Sequence, residues 1–215
     1  SAETSVLTDM LMLVNSCLIR RRNIRGSPPR LHGDSGKKYV YPGILAGGNL
    51  MARPAPVTRV FFQDVGESSL GRVSAATRQV ISSGVVRRRI DCFALVYSLE
   101  GACRFRHAHG SPVELATGDA FLLFPGVLHS YGPPAEEHWD QMYLLFEGPV
   151  FELWHQQGLL DVNRPLYRLE PVSYWESRME KVWQEEESTL ERVVRLQGFL
   201  AEMSRARDEQ GVDRS

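Results

Sequence analysis

The chain has 215 residues, 43% of them hydrophobic, and a formal net charge of −1. That length allows one domain of ordinary size with appendages, and that hydrophobic fraction is enough for a real core. The near-neutral balance excludes a global basic field that could hold nucleic acid, and no apolar run reaches membrane-spanning length.

In chain order, the first fifty residues differ from the rest. Val6 to Ile19 is mostly apolar but carries Asp9 and Asn15. Arg20-Arg21-Arg22 follows that run, whereas a signal peptide carries its charge before it. Arg25-Gly26-Ser27-Pro28-Pro29 and Gly33-Asp34-Ser35-Gly36-Lys37-Lys38 are turn-rich, basic and without period. Residues 1–50 are therefore expected to be a disordered or non-core extension, a nucleic-acid arm being the sharper and less favoured reading. Met51 opens a more domain-like segment, with Thr58-Arg59-Val60-Phe61-Phe62 as the first credible strand. The three cysteines, Cys17, Cys92 and Cys103, are odd in number and lack metal spacing, which suits a reducing cytoplasm better than a disulfide scaffold.

A series of short strands comes next. Arg87-Arg88-Arg89 falls in an expected strand, so one or two of these arginines face inward, with the phase left open. Phe93, Leu95, Tyr97 and Leu99 alternate with Ala94, Val96 and Ser98, and Glu100-Gly101 is expected to close that strand. Cys103, Phe105 and His107 alternate through another, followed by a tight turn at His109-Gly110-Ser111. Val113 and Leu115 give a third, ending at Thr117-Gly118. Gly118-Asp119 then opens a buried strand through Phe124, which Pro125-Gly126 stops: proline has no N–H for a ladder, and glycine accepts positive φ. His129 and Tyr131 stand just beyond. Four short strands at even spacing, punctuated by glycine, read as an all-β barrel or sandwich. A turn–strand–turn that finishes on polar aromatics builds the mouth of a pocket.

The C-terminal third changes period. Pro149 to Gln157 reads as a short helix stopped by Gly158. Ser173-Tyr174-Trp175-Glu176 and Ser188-Thr189-Leu190-Glu191 both have the capping-box pattern. Trp175, Met179, Val182 and Trp183 line one helical face; Leu190, Val193, Val194, Leu200 and Met203 line the next. Two capped amphipathic helices joined tightly favour an antiparallel pair lying on the barrel. From Arg205 onward the chain is charged and stripeless, which suits a linker.

The run from Asp91 to Gly148 resembles the cupin barrel of AraC-type transcription regulators. The residues that carry the likeness are Leu99-Glu100-Gly101, Gly118-Asp119, Pro125-Gly126-Val127-Leu128-His129-Ser130-Tyr131, Trp139 and Tyr143-Leu144-Leu145-Phe146-Glu147-Gly148. It continues through Phe151 to Gly158 and the two C-terminal helices. The fold so implied is mostly β with C-terminal helices: a cupin-like, jelly-roll β-barrel over 51–170 followed by an antiparallel helix pair. The pair would be a dimerisation element over 171–208, with 209–215 as tail or linker.

The resemblance also implies a ligand site inside the barrel. Carried over position by position, it falls on the arginine strand, on Tyr131, and on Gln141 and Tyr143. Arg87, Arg89, His129, Tyr131, Gln141 and Tyr143 are the ligand-binding candidates. The arabinose-binding relatives have histidine and tryptophan where Gln141 and Tyr143 stand, and tryptophan offers sugar rings a wider stacking face. The expected effector is thus a small polar molecule, a sugar or small acid, other than arabinose. No cofactor is expected, and no metal. His107-Ala108-His109 with Glu114 mimics a cupin metal motif, but the aligned ligand positions fall near Arg87-Arg88-Arg89 and Ala94, which offer no imidazole or carboxylate. His129 would be a lone histidine, read as a hydrogen-bonded residue at the barrel mouth.

The family dimerises through the last helix, which places Leu190, Val193, Val194, Gln197 and Ala201 in a homodimer interface, with Gly198 allowing close backbone approach. Nothing after Asp208 could build a helix-turn-helix, so DNA would be contacted only through a part missing from this chain. The reading is a cytoplasmic, non-enzymatic, effector-sensing and dimerisation domain of an AraC-type regulator. The alternatives are a stand-alone cupin enzyme or sugar-binding barrel, and a barrel that only dimerises. An enzyme would need a metal or a convergent acid/base set, and the sequence offers neither.

Overall fold

The computed structural model describes residues 58–63, 66–108, 110–183 and 188–212. The expected extension over 1–50 lies outside the described residues, as does His109. Nine strands are described: β1 (Thr58–Gln63), β2 (Arg72–Ile81), β3 (Val86–Arg88), β4 (Phe93–His107), β5 (Val113–Ala116), β6 (Asp119–Leu123), β7 (His129–Gly132), β8 (Trp139–Glu147) and β9 (Leu166–Arg168). Three α-helices follow or interrupt them: α1 (Pro149–Gln156), α2 (Val172–Glu180) and α3 (Thr189–Val212), with a 3-10 turn at Lys181–Trp183.

All pairings are antiparallel, and β4 holds the two sheets together. Its first half pairs with β6 and β8 in a sheet ordered β1-β2-β8-β4-β6-β9. Its second half pairs with β5 and β7, and β7 carries β3. Glu100-Gly101 therefore does not end a strand, as the glycine suggests, but turns a corner within one of 15 residues. The register shifts between Ser98 and Glu100, leaving Leu99 as the extra residue of a bulge. Gly101 has φ +83, and a Cβ there would sit 2.1 Å from the His138 carbonyl oxygen. A side chain is impossible on both counts, which is why the strand reads as broken at that point.

The large sheet has two differently used faces, because successive side chains point to opposite sides. Phe93, Leu95 and Tyr97 of β4, Leu122 of β6, and Met142, Leu144 and Phe146 of β8 share one core with Phe151, Trp175, Met179, Val193, Leu196, Leu200 and Met203 of the helices. The opposite face, with Thr77, Gln79, Val96, Ser98, Phe121, Gln141 and Tyr143, meets the second sheet. Phe121 stacks on Phe105 with centroids 4.2 Å apart and lies 5.7 Å from Tyr131. The helix side is thus closed by apolar groups, while the barrel side combines large aromatic rings with polar side chains.

The helices depart from expectation in two places. Residue Ser173 does not cap α2, which begins at Val172 with Pro171 at the N-cap and no side-chain cap. Pro171 needs no partner for an N–H it lacks, and Glu176 turns outward to accept a hydrogen bond from Arg78 at 3.0 Å instead. The second box is present: Glu191 Oε2 accepts from the Ser188 N–H at 2.8 Å, and the Glu191 N–H donates to Ser188 Oγ at 3.3 Å. The expected linker from Arg205 is also corrected, since α3 runs for 24 residues. Its extension packs through charged side chains rather than an apolar stripe. Arg207 lies over the Tyr167 ring at 4.7 Å and donates to the Arg164 carbonyl at 3.0 Å. Trp175 on α2 meets Phe199 on α3 edge-on at 5.9 Å, and Glu202 on α3 accepts from both Tyr174 and Arg178 on α2.

Among the described residues, no helix is long and apolar enough to cross a membrane.

Candidate functional site

Three neighbouring strands of the large sheet carry polar side chains into the barrel. The register places Gln79 of β2 opposite Gln141 of β8, and Gln141 opposite Ser98 of β4. One step along, Thr77 stands opposite Tyr143, which stands opposite Val96. Cross-strand partners share a face, so these residues form two adjacent rows on the inner wall. Thr77, Gln79, Ser98 and Gln141 are all at most 2% exposed.

Most of this buried polarity has no partner. Both the Oε1 and Nε2 of Gln141 and the Oε1 of Gln79 are buried without a hydrogen bond, and the Thr77 hydroxyl has only the neighbouring Tyr143 phenol beside it. Tyr143 lies beside Thr77 closely enough for that hydroxyl to hold its phenol down slightly, but burial dominates and pushes it up to about 12. Ser98 is the exception, its Oγ accepting from the Trp139 indole N–H at 3.0 Å. An unsatisfied buried polar group costs about 1–3 kcal/mol, and an apolar residue of like shape would avoid the cost. A wall that keeps such groups in two adjacent rows is suited to a polar guest.

The small sheet supplies the facing wall. Arg88 of β3 pairs in register with His129 of β7, and Val86 with Tyr131, so these side chains share one face. Arg88 Nη2 donates to the Tyr131 hydroxyl at 2.9 Å, and the Arg88 Nε is buried without a partner. His129 and Tyr131 are 1% and 3% exposed, their rings stacked at 5.8 Å. His129 Nδ1 lies 3.1 Å from the Val127 carbonyl oxygen, which fixes the proton on Nδ1 and leaves Nε2 as a lone-pair acceptor; that Nε2 is buried and unpartnered. Burial lowers the pKa of His129 to about 4, with the Arg88 charge adding to the effect, so the ring is neutral near pH 7. Phe105, Phe121 and Trp139 fill the space around these groups, Trp139 meeting Tyr131 edge-on at 5.9 Å.

Of the candidate residues, His129, Tyr131, Gln141 and Tyr143 lie together on the interior. Arg87 and Arg89 do not. Both are exposed, and Arg89 donates to the Gly126 carbonyl at 2.7 Å on the outer side. The strand phase is the reverse of the one that would turn them inward, and Arg88 takes the interior position. Thr77 and Gln79 were missed altogether. They sit on β2, whose inner face sets Thr77 and Gln79 between Ala75 and Ile81 and whose outer face includes Ala76 and Arg78, so no apolar alternation marks the strand. The pairing with Gln141 and Tyr143 is what reveals them. On α3, Val193 is buried in the chain's own core and cannot face a partner, whereas Leu190, Val194 and Ala201 are exposed and Gln197 is half-buried.

Among the described residues, no three His, Cys, Asp or Glu side chains converge on a point that could hold a metal ion. His107 lies at the end of β4, tilted against Phe105 at 6.1 Å, with burial lowering its pKa.

Two antiparallel sheets joined through β4, with polar side chains between them and helices packed on the outer face of the larger one, define a small β-barrel domain. The chain belongs to the family of AraC-like ligand binding domains, whose model matches residues 75–206, more than half of it. Among solved structures, it is similar to a candidate ethanolamine utilization protein Q from Salmonella typhimurium LT2, at 17% identity and a TM-score of 0.35, over 44% of this chain and 71% of that one. A cupin superfamily protein from Desulfitobacterium hafniense DCB-2 is similar at 12% identity and a TM-score of 0.35, over 45% and 82%. An oxalate decarboxylase variant from Bacillus subtilis is similar at 16% identity and a TM-score of 0.32, over 36% of this chain but only 22% of that one. No curated protein matches the chain.

Proposed function

We propose that this chain is the effector-sensing and dimerisation part of an AraC-type transcription regulator, and that it binds a small polar molecule inside the barrel without transforming it. The observation that carries the reading is the Gln141 amide, 1% exposed with neither heteroatom bonded, set in a wall with Gln79 and Thr77 and facing Arg88, Tyr131 and His129. Binding rather than catalysis is favoured because the described interior holds no carboxylate beside a histidine and no convergent metal ligands. Arg88, His129, Tyr131, Gln141 and Tyr143, with Thr77 and Gln79, are the proposed contacts.

The effector site and the helical layer share the large sheet. Arg78 and Asp140 are the strand neighbours of Gln79 and Gln141, pointing to the opposite face, where Arg78 bonds both Asp140 and Glu176 of α2. The helix pair would then carry Leu190, Val194, Gln197 and Ala201 into a two-fold seam, and DNA would be bound through helix-turn-helix units of a longer protein. Calorimetric titration with a panel of sugars and small acids tests the core of the reading: binding of one member that is lost in Gln141→Leu supports it. Tight binding that survives both Gln141→Leu and Tyr131→Phe would place the effector elsewhere.

A further inference from the structure

We propose that the barrel selects a small hydroxycarboxylate, a monoanion bearing several hydroxyl groups, over the neutral polyol of the same shape. The inference rests on the barrel interior being an effector site. It comes from the unequal chemistry of the two walls.

On one wall stands a fixed positive charge. Arg88 is half-buried, its guanidinium bonded to a neutral phenol rather than to a carboxylate, with Nε buried and unpartnered. No described carboxylate forms an ion pair with it. Asp140, the buried acid of the barrel wall, is used by Arg78 on the opposite face of the sheet. Histidine 129, the neighbour of Arg88, is neutral near pH 7 and adds no charge. A guanidinium presents two parallel N–H donors that match a carboxylate, and a partner of opposite charge gains more from it in a water-poor site than a hydroxyl does.

The other wall asks for hydrogen-bond donors as well as acceptors. Gln141 presents one free carbonyl oxygen and one free amide nitrogen whichever way the group is turned, and Gln79 a free carbonyl oxygen. His129 Nε2 is a further free acceptor. Thr77 can serve either way. A simple aliphatic acid would satisfy Arg88 and leave these groups unbonded. A neutral polyol would satisfy them and leave the charge without a counter-ion. A hydroxycarboxylate answers both walls.

The test uses matched pairs titrated into the full chain at pH 7: gluconate with glucose, galacturonate with galactose, and glycerate with glycerol, plus gluconamide, which keeps the hydroxyls and removes the charge. At least one acid should bind about tenfold or more tighter than its neutral partner, as expected for a charge-assisted bidentate contact. Arg88→Gln should abolish that preference, the acid's affinity falling to about that of its neutral partner, and Arg88→Lys, which keeps the charge without the fork, should retain part of it. Circular dichroism of both variants checks that they fold. A neutral partner that binds as tightly as its acid overturns the hydroxycarboxylate assignment and leaves the effector site standing. An acid preference that persists in Arg88→Gln also overturns it. Absence of binding by every member of the panel at 10 mM counts against both the ligand class and the polar-effector reading.

Discussion

Replacing the Gln141 amide with a side chain of similar size and no polar atoms separates what the residue does for binding from what it does for folding. In most cores, Gln→Leu at a buried position removes hydrogen bonds and destabilises. Here the amide has none to lose, so Gln141→Leu is expected to leave stability unchanged or raise it by about 1–2 kcal/mol, while removing effector binding. Urea unfolding and calorimetry on the same preparation read the two effects. A second prediction concerns His129, whose pKa falls from 6.5 to about 4 on folding, chiefly through burial. The unfolded chain therefore binds more protons between those values, and stability rises with pH. The contribution is complete above about pH 6.5 and is lost as pH falls toward 4, by about 3 kcal/mol for the 1%-exposed ring. His129→Asn, which cannot take up that proton, should show a flatter stability profile between pH 7 and 4; equal slopes for the two proteins would show that His129 titrates normally. At this scale Tyr131, Gln141 and Tyr143 were legible because they occupy recognisable positions after a Pro-Gly turn and on a period-two strand. Arg88 was not, since a shift of one residue reverses the face of every side chain in a three-residue strand.

Among the strands, the bulge at Leu99 and the corner at Gly101 carry β4 from one sheet into the other. Gly101→Ala would place a methyl carbon 2.1 Å from the His138 oxygen in a backbone conformation of φ +83, and is expected to destabilise by more than about 3 kcal/mol. Gly126, in the Pro-Gly turn, has φ +72 but nothing within 4 Å of an added Cβ, so Gly126→Ala should cost only about 1 kcal/mol. Thermal unfolding of the two variants side by side checks the contrast, and similar losses would mean that crowding at the corner is not what matters. The strand segments around Phe93, Cys103, Val113 and Phe121 are legible because each alternates or ends on a turn residue, although the first two are halves of one strand. β2 is not, because both its faces are covered and its inner face is polar where the guest would sit. Capping shows the same division. Ser188 and Glu191 meet as their spacing says, but Ser173 and Glu176 do not, because Pro171 starts the helix earlier and Arg78 draws the glutamate away.

For the molecule as a whole, the outer stripe of α3 carries the proposed dimer. Leu190 and Val194 are 46% and 55% exposed, while Val193, Leu196 and Met203 are buried against the sheet. Among the described residues, the inner apolar stripe of the helix packs on the sheet and the outer one stays exposed. Val194→Glu should leave the monomer's melting temperature within a degree or two, since the residue is exposed there, yet weaken self-association at least about a hundredfold, because a two-fold seam buries the charge twice. Sedimentation velocity at micromolar concentration reads the association; a wild-type monomer would remove the seam. Gly198 offers a sign test. An added Cβ meets nothing within 4 Å in the chain, so Gly198→Ala should stabilise a lone helix by about 0.5–1 kcal/mol. If a partner backbone packs there, the same change should weaken the dimer.

What the amino-acid sequence determines by itself is local: strand and turn alternation from Phe93 to Gly148, the helical period after it, the second capping box, and a cluster of polar aromatics after Pro125-Gly126. Each of these depends on residues within a few positions of one another. Only the tertiary structure decides which of Arg87, Arg88 and Arg89 turns inward, that Thr77 and Gln79 join Gln141 and Tyr143, that Val193 belongs to the core, and that Gly101 bends a strand instead of ending it. Each of these depends on register between segments far apart in the chain, and register is set by what the two faces of a sheet must bury, which no short window of sequence contains.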